Sequence, residues 1–331
     1  EEAYHTVFEK DILQVLGTYN GEEVSDLASQ YWYNITILVI FVYVSAFITE
    51  FFIFWGIAKG WPHFNDLHIS HFVQAVFPVP LSEQSKFDKV KKHAWKALLA
   101  YRIVILLFCI FVWFWTLFVD TGGNLYNFFS FYTIWNFSML IWYFACNIFL
   151  TLLHVSGKDY PKVVKIVGNF TIIIYNIEIA LVFLVDSVVW LILLPVLYQQ
   201  GNVGVILTFS SSIVHGMNSV FMMIDFAFNR LPIRLFNMTW MVVWALVYIF
   251  WAMLYYSITF VWRYPFLNLW TPTAMLWYAL IFSMHFVFFL FCYGLYLLKL
   301  KICRRIFPNF DESMNVSLQV SDDEAKDTFL Q

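Results

Sequence analysis

The chain is 331 residues long, 61% hydrophobic and only 12% charged, with a net charge of −3 and a mean hydropathy of +0.71. A soluble domain averages about 25% charged residues, so this composition argues against a water-soluble enzyme, a disordered chain and a nucleic-acid binder, and for an integral membrane protein. Its 4 Cys residues stand in apolar runs (Cys109, Cys146, Cys292) or beside basic residues (Cys303), which suits neither a disulfide framework nor a paired-Cys metal motif.

In chain order, residues 1–30 are acidic and moderately polar and read as a luminal or extracellular tail. The apolar run 31–56 is long enough for a first transmembrane helix, since about 20 residues rising about 1.5 Å each cross the roughly 30 Å hydrocarbon. It is too long and too aromatic for a signal-peptide core. Residues 57–92 form a basic cytosolic loop ending in SKFDKVKKHAWK, whose lysines suit an anionic inner leaflet. That loop also carries His63, His68 and His71, too few ligands for a di-iron centre, so no metal or other cofactor is expected. Further spans are expected at 93–119, 126–154, 164–195, 205–228, 237–261 and 273–299, a six-helix membrane core within 93–305. Residues 306–331 are polar and acidic, expected to be disordered, with Ser321 before three acids as a weak phosphosite.

Lys and Arg concentrate in the segments after spans one, three, five and seven, whereas the alternate segments hold only Lys10 and Arg263. This predicts an N-terminus outside or in the lumen and a C-terminus in the cytosol, in the endoplasmic reticulum or plasma membrane. The expected fold is an all-α polytopic membrane helix bundle of about seven transmembrane helices. A G-protein-coupled receptor shares that plan, but here LLHVSG stands where Asp-Arg-Tyr would close the third span, and no Asn-Pro-x-x-Tyr lies in the seventh. A retinal protein needs a Lys deep in its last helix, and the first one there is Lys299, at the cytosolic edge. Few Pro or Gly interrupt the spans, unlike the broken helices of many transporters.

Ionisable groups in hydrocarbon cost several kcal/mol and point to function or to specific pairing. Those present are Glu50, Arg102, Glu178, Asp186, His215, Asp225 and His285. Two spans carry polar stripes at helical spacing: Thr133, Asn136, Tyr143, Asn147 and His154 on the third, and Ser211, His215, Asn218, Asp225 and Asn229 on the fifth. Both stripes are expected to face the bundle interior. Arg102 is expected to pair with Glu178, with Asp225 as competitor. Counting residues from the luminal surface puts Thr133, His215 and Asp186 at similar depths, roughly 10–15 Å down. A hydroxyl nucleophile, an imidazole base and a carboxylate that fixes the imidazole are the parts of an acyl-transfer site. Asn136 and Asn218 are candidates to position the substrate or stabilise an oxyanion. The plainer alternative is that the same groups are hydrogen-bond glue between helices. Of the Asn-x-Ser/Thr sites only Asn34 lies on the glycosylating side, and Cys303 in KICRR is a palmitoylation candidate.

The strings FFSFYTIWNFSMLIWYF (128–144), DSVVWLILLP (186–195) and HGMNSVFMMIDFAFNRLPIR (215–234), followed by VYIFWAMLYY and RYPFLNLWTPTA, resemble the rolling-stone proteins and the wider androgen-induced family over roughly 95–305. Androgen-induced members hydrolyse fatty acid esters of hydroxy fatty acids with an intramembrane Thr and His, and on this chain the resemblance carries those roles to Thr133 and His215. It implies a lipid ester hydrolase with membrane lipids or fatty acyl esters as ligands. Rolling-stone proteins are linked to cell fusion instead. That branch implies a non-catalytic membrane protein in fusion or adhesion, or a subunit of a larger complex.

Overall fold

The computed structural model describes residues 21–58, 72, 84–156 and 160–306. Within these the chain is all α, with no strand, because in hydrocarbon a helix satisfies its backbone N–H and C=O groups within its own segment. The residues before Gly21, the His63, His68 and His71 cluster and the tail with Ser321 lie outside the described residues.

Helix α1 (Gly21–Ala58) begins upstream of the expected span and bends at Tyr31, whose φ/ψ of −114°/21° is not helical. Helix α2 (Gln84–Trp115) likewise begins inside the basic loop. Then come α3 (Tyr132–Val155), α4 (Pro161–Ser187), α5 (Asn218–Phe228), α6 (Met238–Thr259) and α7 (Ala274–Ile306). Pro161 opens α4, a position where its missing N–H breaks no helical bond.

Among the described residues six helical stretches are long and apolar enough to cross a membrane, so the chain is a multi-pass integral membrane protein. The expected fifth span is not among them. It resolves into a one-turn helix Phe209–Ser212, a π-helical stretch Ile213–Met217 and α5. Ser210, Ser211, Ser212, His215, Asn218 and Asp225 dilute its apolar content. It is held by protein on several sides, against α2, α3 and α4.

Helix α4 is the centre of the bundle. From Thr171 to Val185 it is buried on nearly every side, as an all-round apolar helix must be. Helices α3, α5, α6 and α7 pack around it, α2 lies against α3 and α5, and α1 lies outside against α6 and α7. Most of α1 faces lipid, with Tyr43, Phe47 and Phe54 exposed. One polar side chain ties it down: Asn34 Nδ2 donates to the carbonyls of Leu269 and Thr271 at 2.8 and 3.0 Å. Asn34 is therefore buried inside the fold, where a glycan has no room.

The π-helical stretches Thr116–Asp120, Val188–Leu193 and Ile213–Met217 fall at one end of the bundle, where α3 starts and α6 finishes. A π turn widens the helix and leaves backbone groups in need of partners. His215, with φ/ψ of −122°/23°, marks such a departure. Its carbonyl accepts the indole N–H of Trp190 from the facing π stretch. Nearby, Asp120 Oδ2 accepts the Ser210 hydroxyl at 2.5 Å.

Candidate functional site

At the end of the bundle with the π turns, α3, α4, α6, α7 and the loop after α6 enclose an apolar cavity of about 70 Å³. Leu184, Val185, Val188 and Val189 line it from the α4 side, Ala245 and Ile249 from α6, and Phe266, Leu267, Ile281 and Phe282 from the loop and α7. The polar-bearing side chains on its wall are Tyr132, Thr133, Tyr248, Tyr264, Tyr278 and His285.

The chemistry of this wall is set by how those groups are already engaged. His285 Nδ1 lies 2.8 Å from the Ile281 carbonyl. A carbonyl can only accept, so Nδ1 carries the proton and Nε2 is left as acceptor. The Tyr132 hydroxyl meets that Nε2 at 3.1 Å. Tyr132 in turn lies beside Asn136, whose Oδ1 accepts the Trp244 indole N–H at 2.8 Å. Asn136 is not on the cavity wall, and its Nδ2 is buried without a partner. Tyr248 and Tyr278 donate to the carbonyls of Ser130 and Leu267 at 2.8 and 2.9 Å, which bends the loops over the cavity. Thr133 has the Tyr264 hydroxyl as its polar neighbour, and burial pushes that phenol up to about 12, so it is a neutral O–H.

Of the expected trio, only Thr133 faces the cavity. No hydrogen bond joins Thr133, His215 and Asp186: the His215 Nδ1 and Asp186 Oδ1 are buried without partners. Asp186 faces the Asn218 and Ser219 side chains, and Asn218 uses its own Oδ1 to accept the Ser219 N–H at 2.8 Å. The physical reason is azimuth. Each residue turns a helix by about 100°, so Asp186 points away from the cavity face that Val185 and Val189 occupy. The imidazole that shares the cavity with Thr133 is His285, legible in the sequence only as one more intramembrane ionisable group. Tyr264 was missed, although it follows Arg263, one of the two basic residues in the alternate segments between the expected spans.

The expected Arg102–Glu178 pair is corrected in favour of the competitor. Arg102 Nε and Nη2 meet the two Asp225 oxygens at 2.7 and 3.3 Å, and Nη1 donates to the Phe72 carbonyl at 2.7 Å. All three nitrogens of the fork are directed at these partners, and Glu178 Oε2 is buried without a hydrogen bond. Asp225 also accepts the Tyr143 hydroxyl, and the Asn229 amide at 2.8 Å. Lys299 completes this far end of the bundle by donating to the carbonyls of Phe226 and, at 2.7 Å, Asn229. It thereby caps the C-terminus of α5, where carbonyls lack helical partners.

Cys303 is a free thiol on the buried face of α7, which conflicts with acylation from the headgroup layer. Acyl-biotin exchange on the full chain is expected to give the same signal for wild type and Cys303→Ser. Among the described residues no group of three or more His, Cys, Asp or Glu comes together.

Searches of protein families, curated proteins and solved structures return no match.

Proposed function

We propose that the protein admits a lipid acyl ester from the bilayer into this cavity and hydrolyses it with Thr133 as nucleophile. The observation that supports this most is the placement of Thr133, at the start of a long helix and on the wall of an apolar cavity that also holds an imidazole. A Thr hydroxyl is a poor nucleophile without a base. His285, with Nε2 as acceptor, shares the cavity and is the first candidate; His215 is the second. Attack of Thr133 Oγ on the ester carbonyl forms an acyl-threonine as the alcohol leaves with a proton, and water then releases the acid. The N–H groups of the first turn of α3 are suited to the charge that develops on the carbonyl oxygen. The resemblance to the androgen-induced family singles out the same Thr. The distribution of basic residues supports a cavity near the luminal or extracellular face and a cytosolic C-terminus, and we take the membrane to be the endoplasmic reticulum or plasma membrane.

The test is labelling of the full-length protein by a fluorophosphonate probe, together with turnover of a long-chain ester. Wild type is expected to do both and Thr133→Ala neither. Loss of the base is expected to slow turnover by about 10²–10⁴-fold, so comparing His285→Gln with His215→Gln identifies it. Equal behaviour of wild type and Thr133→Ala overturns the enzyme reading. One observation favours the other class of function, a non-catalytic partner in fusion, adhesion or a larger complex: no imidazole is hydrogen-bonded to Thr133.

A further inference from the structure

Helix α3 starts inside the protein without a side-chain cap, since Phe131 at its N-cap makes no such bond. The N–H groups of Tyr132 and Thr133 thus have no helical acceptor and carry the positive end of the helix dipole. A second observation is independent of the helix. Tyr264 is only 6% exposed and its hydroxyl makes no hydrogen bond, although its polar neighbours are the Thr133 hydroxyl and the backbone of Tyr132 and Thr133. The Tyr264 O–H thus lies beside the start of α3 with no acceptor of its own, and an acceptor oxygen placed there would satisfy it together with the N–H groups of the first turn.

A third observation gives that oxygen a charge. The Arg263 guanidinium lies 5.2 Å from the Phe131 ring and 4.9 Å from the Tyr255 ring, donates to the Tyr255 hydroxyl and leaves its Nε buried and unpartnered. Its field reaches Tyr248 and Tyr264 on the cavity wall. The ion pair formed among the described residues belongs to Arg102 and Asp225, so no carboxylate of theirs neutralises Arg263.

We propose that this cavity is a long-chain fatty acid site, with the carboxylate received by the first turn of α3 and the hydroxyls of Thr133 and Tyr264, and Arg263 supplying the opposite charge. The cavity of about 70 Å³ is about half the roughly 150 Å³ of an engineered site that holds benzene. It therefore takes the carboxyl end and the first carbons, and the rest of the chain passes between helices into lipid. The site is the one used by the hydrolase reading, and a fatty acid is the acid that reaction would release, but binding requires no turnover.

The experiment uses the full chain in phosphatidylcholine nanodiscs with a photoreactive diazirine palmitic acid, competed by palmitate or by methyl palmitate. Cross-links are expected on peptides of α6 and α7 that wall the cavity, and palmitate is expected to compete at least tenfold better than the neutral methyl ester, the difference made by one charge-assisted hydrogen bond. Tyr264→Phe and Arg263→Gln are expected to weaken labelling by about threefold and about tenfold, with Arg263→Lys recovering part of the loss. Equal competition by the methyl ester, which needs no variant, overturns the carboxylate site in favour of a neutral one. Labelling that survives all substitutions overturns it as well. Palmitate binding without ester turnover sinks only the hydrolase; ester turnover without palmitate binding sinks only this site.

Discussion

Arg102→Ala is expected to destabilise the bundle by about 3–5 kcal/mol, because it leaves the Asp225 carboxylate buried without its cation. Arg102 and Asp225 are 1% and 0% exposed, and the pair joins α2 to α5 through two contacts. The same guanidinium also holds the Phe72 carbonyl, and Gly168 leaves room for the Phe72 ring, which a Cβ there would approach to 3.3 Å. Losing Arg102 therefore loosens the packing of residue 72 on α4 as well. Removing both charges, in Arg102→Met with Asp225→Leu, is expected to recover much of the loss, since an apolar pair of similar volume often does as well as a buried ion pair. Recovery is incomplete because Tyr143, Asn229 and the Phe72 carbonyl lose an acceptor or donor, at about 1–3 kcal/mol for each group left unsatisfied. Glu178→Gln is the informative comparison: among the described residues no cation pairs with Glu178, so its effect is expected to stay under about 1 kcal/mol. Midpoints of unfolding titrations from mild detergent into dodecyl sulfate measure all four. A large Glu178 effect with a small Arg102 effect would restore the pairing expected from the sequence.

That pairing shows where sequence reading stops. Most span positions were legible because the bilayer imposes helix length: α4, α6 and α7 begin within a few residues of expectation, whereas α3 begins later, at Tyr132, and the fifth span is broken. The inward stripes were legible too. Asn136, Tyr143 and Asn147 on α3, and Asn218, Asp225 and Asn229 at α5, are all buried, because 3.6-residue periodicity puts polar groups on one face, whereas His154, expected on the same stripe, is exposed in the last turn of α3. Depth follows from counting, but the rotation of one helix against another does not. Arg102 chose between two carboxylates by azimuth, and Asp186 shares a depth with Thr133 without sharing its face. The π stretches hide in apolar sequence because their cause is tertiary, as in the Trp190 indole that accommodates the His215 carbonyl. The approach of Tyr264 to Thr133 depends on the path of a loop, which no periodicity encodes.

That path makes Trp262→Ala the other substitution expected to cost about 3–5 kcal/mol, the usual loss for truncating a buried Trp. After α6 the chain reverses through Phe260, a non-glycine residue with φ of 57°, and then folds back on the helix it has left. Trp262 stacks on Tyr256 with ring centroids 4.0 Å apart and planes 13° from parallel. The Trp270 indole donates to the Tyr256 hydroxyl at 2.6 Å, and Asn268 Oδ1 accepts the Trp270 backbone N–H at 2.9 Å. Asn34 of α1 then pins the Leu269 and Thr271 carbonyls. The loop is thus a packed cap whose first anchor is the Trp262 ring, and Arg263 and Tyr264 are the next two residues. Trp262→Phe keeps a ring on Tyr256 and removes an indole N–H that has no partner, so its cost is expected to be under about 1.5 kcal/mol. If the cap serves only stability, ligand cross-linking per folded molecule is the same for Trp262→Ala and wild type. If it presents Tyr264 and Arg263 to the start of α3, cross-linking per folded molecule falls in Trp262→Ala and is retained in Trp262→Phe, because a displacement of about 1 Å is enough to disrupt a site built from converging donors.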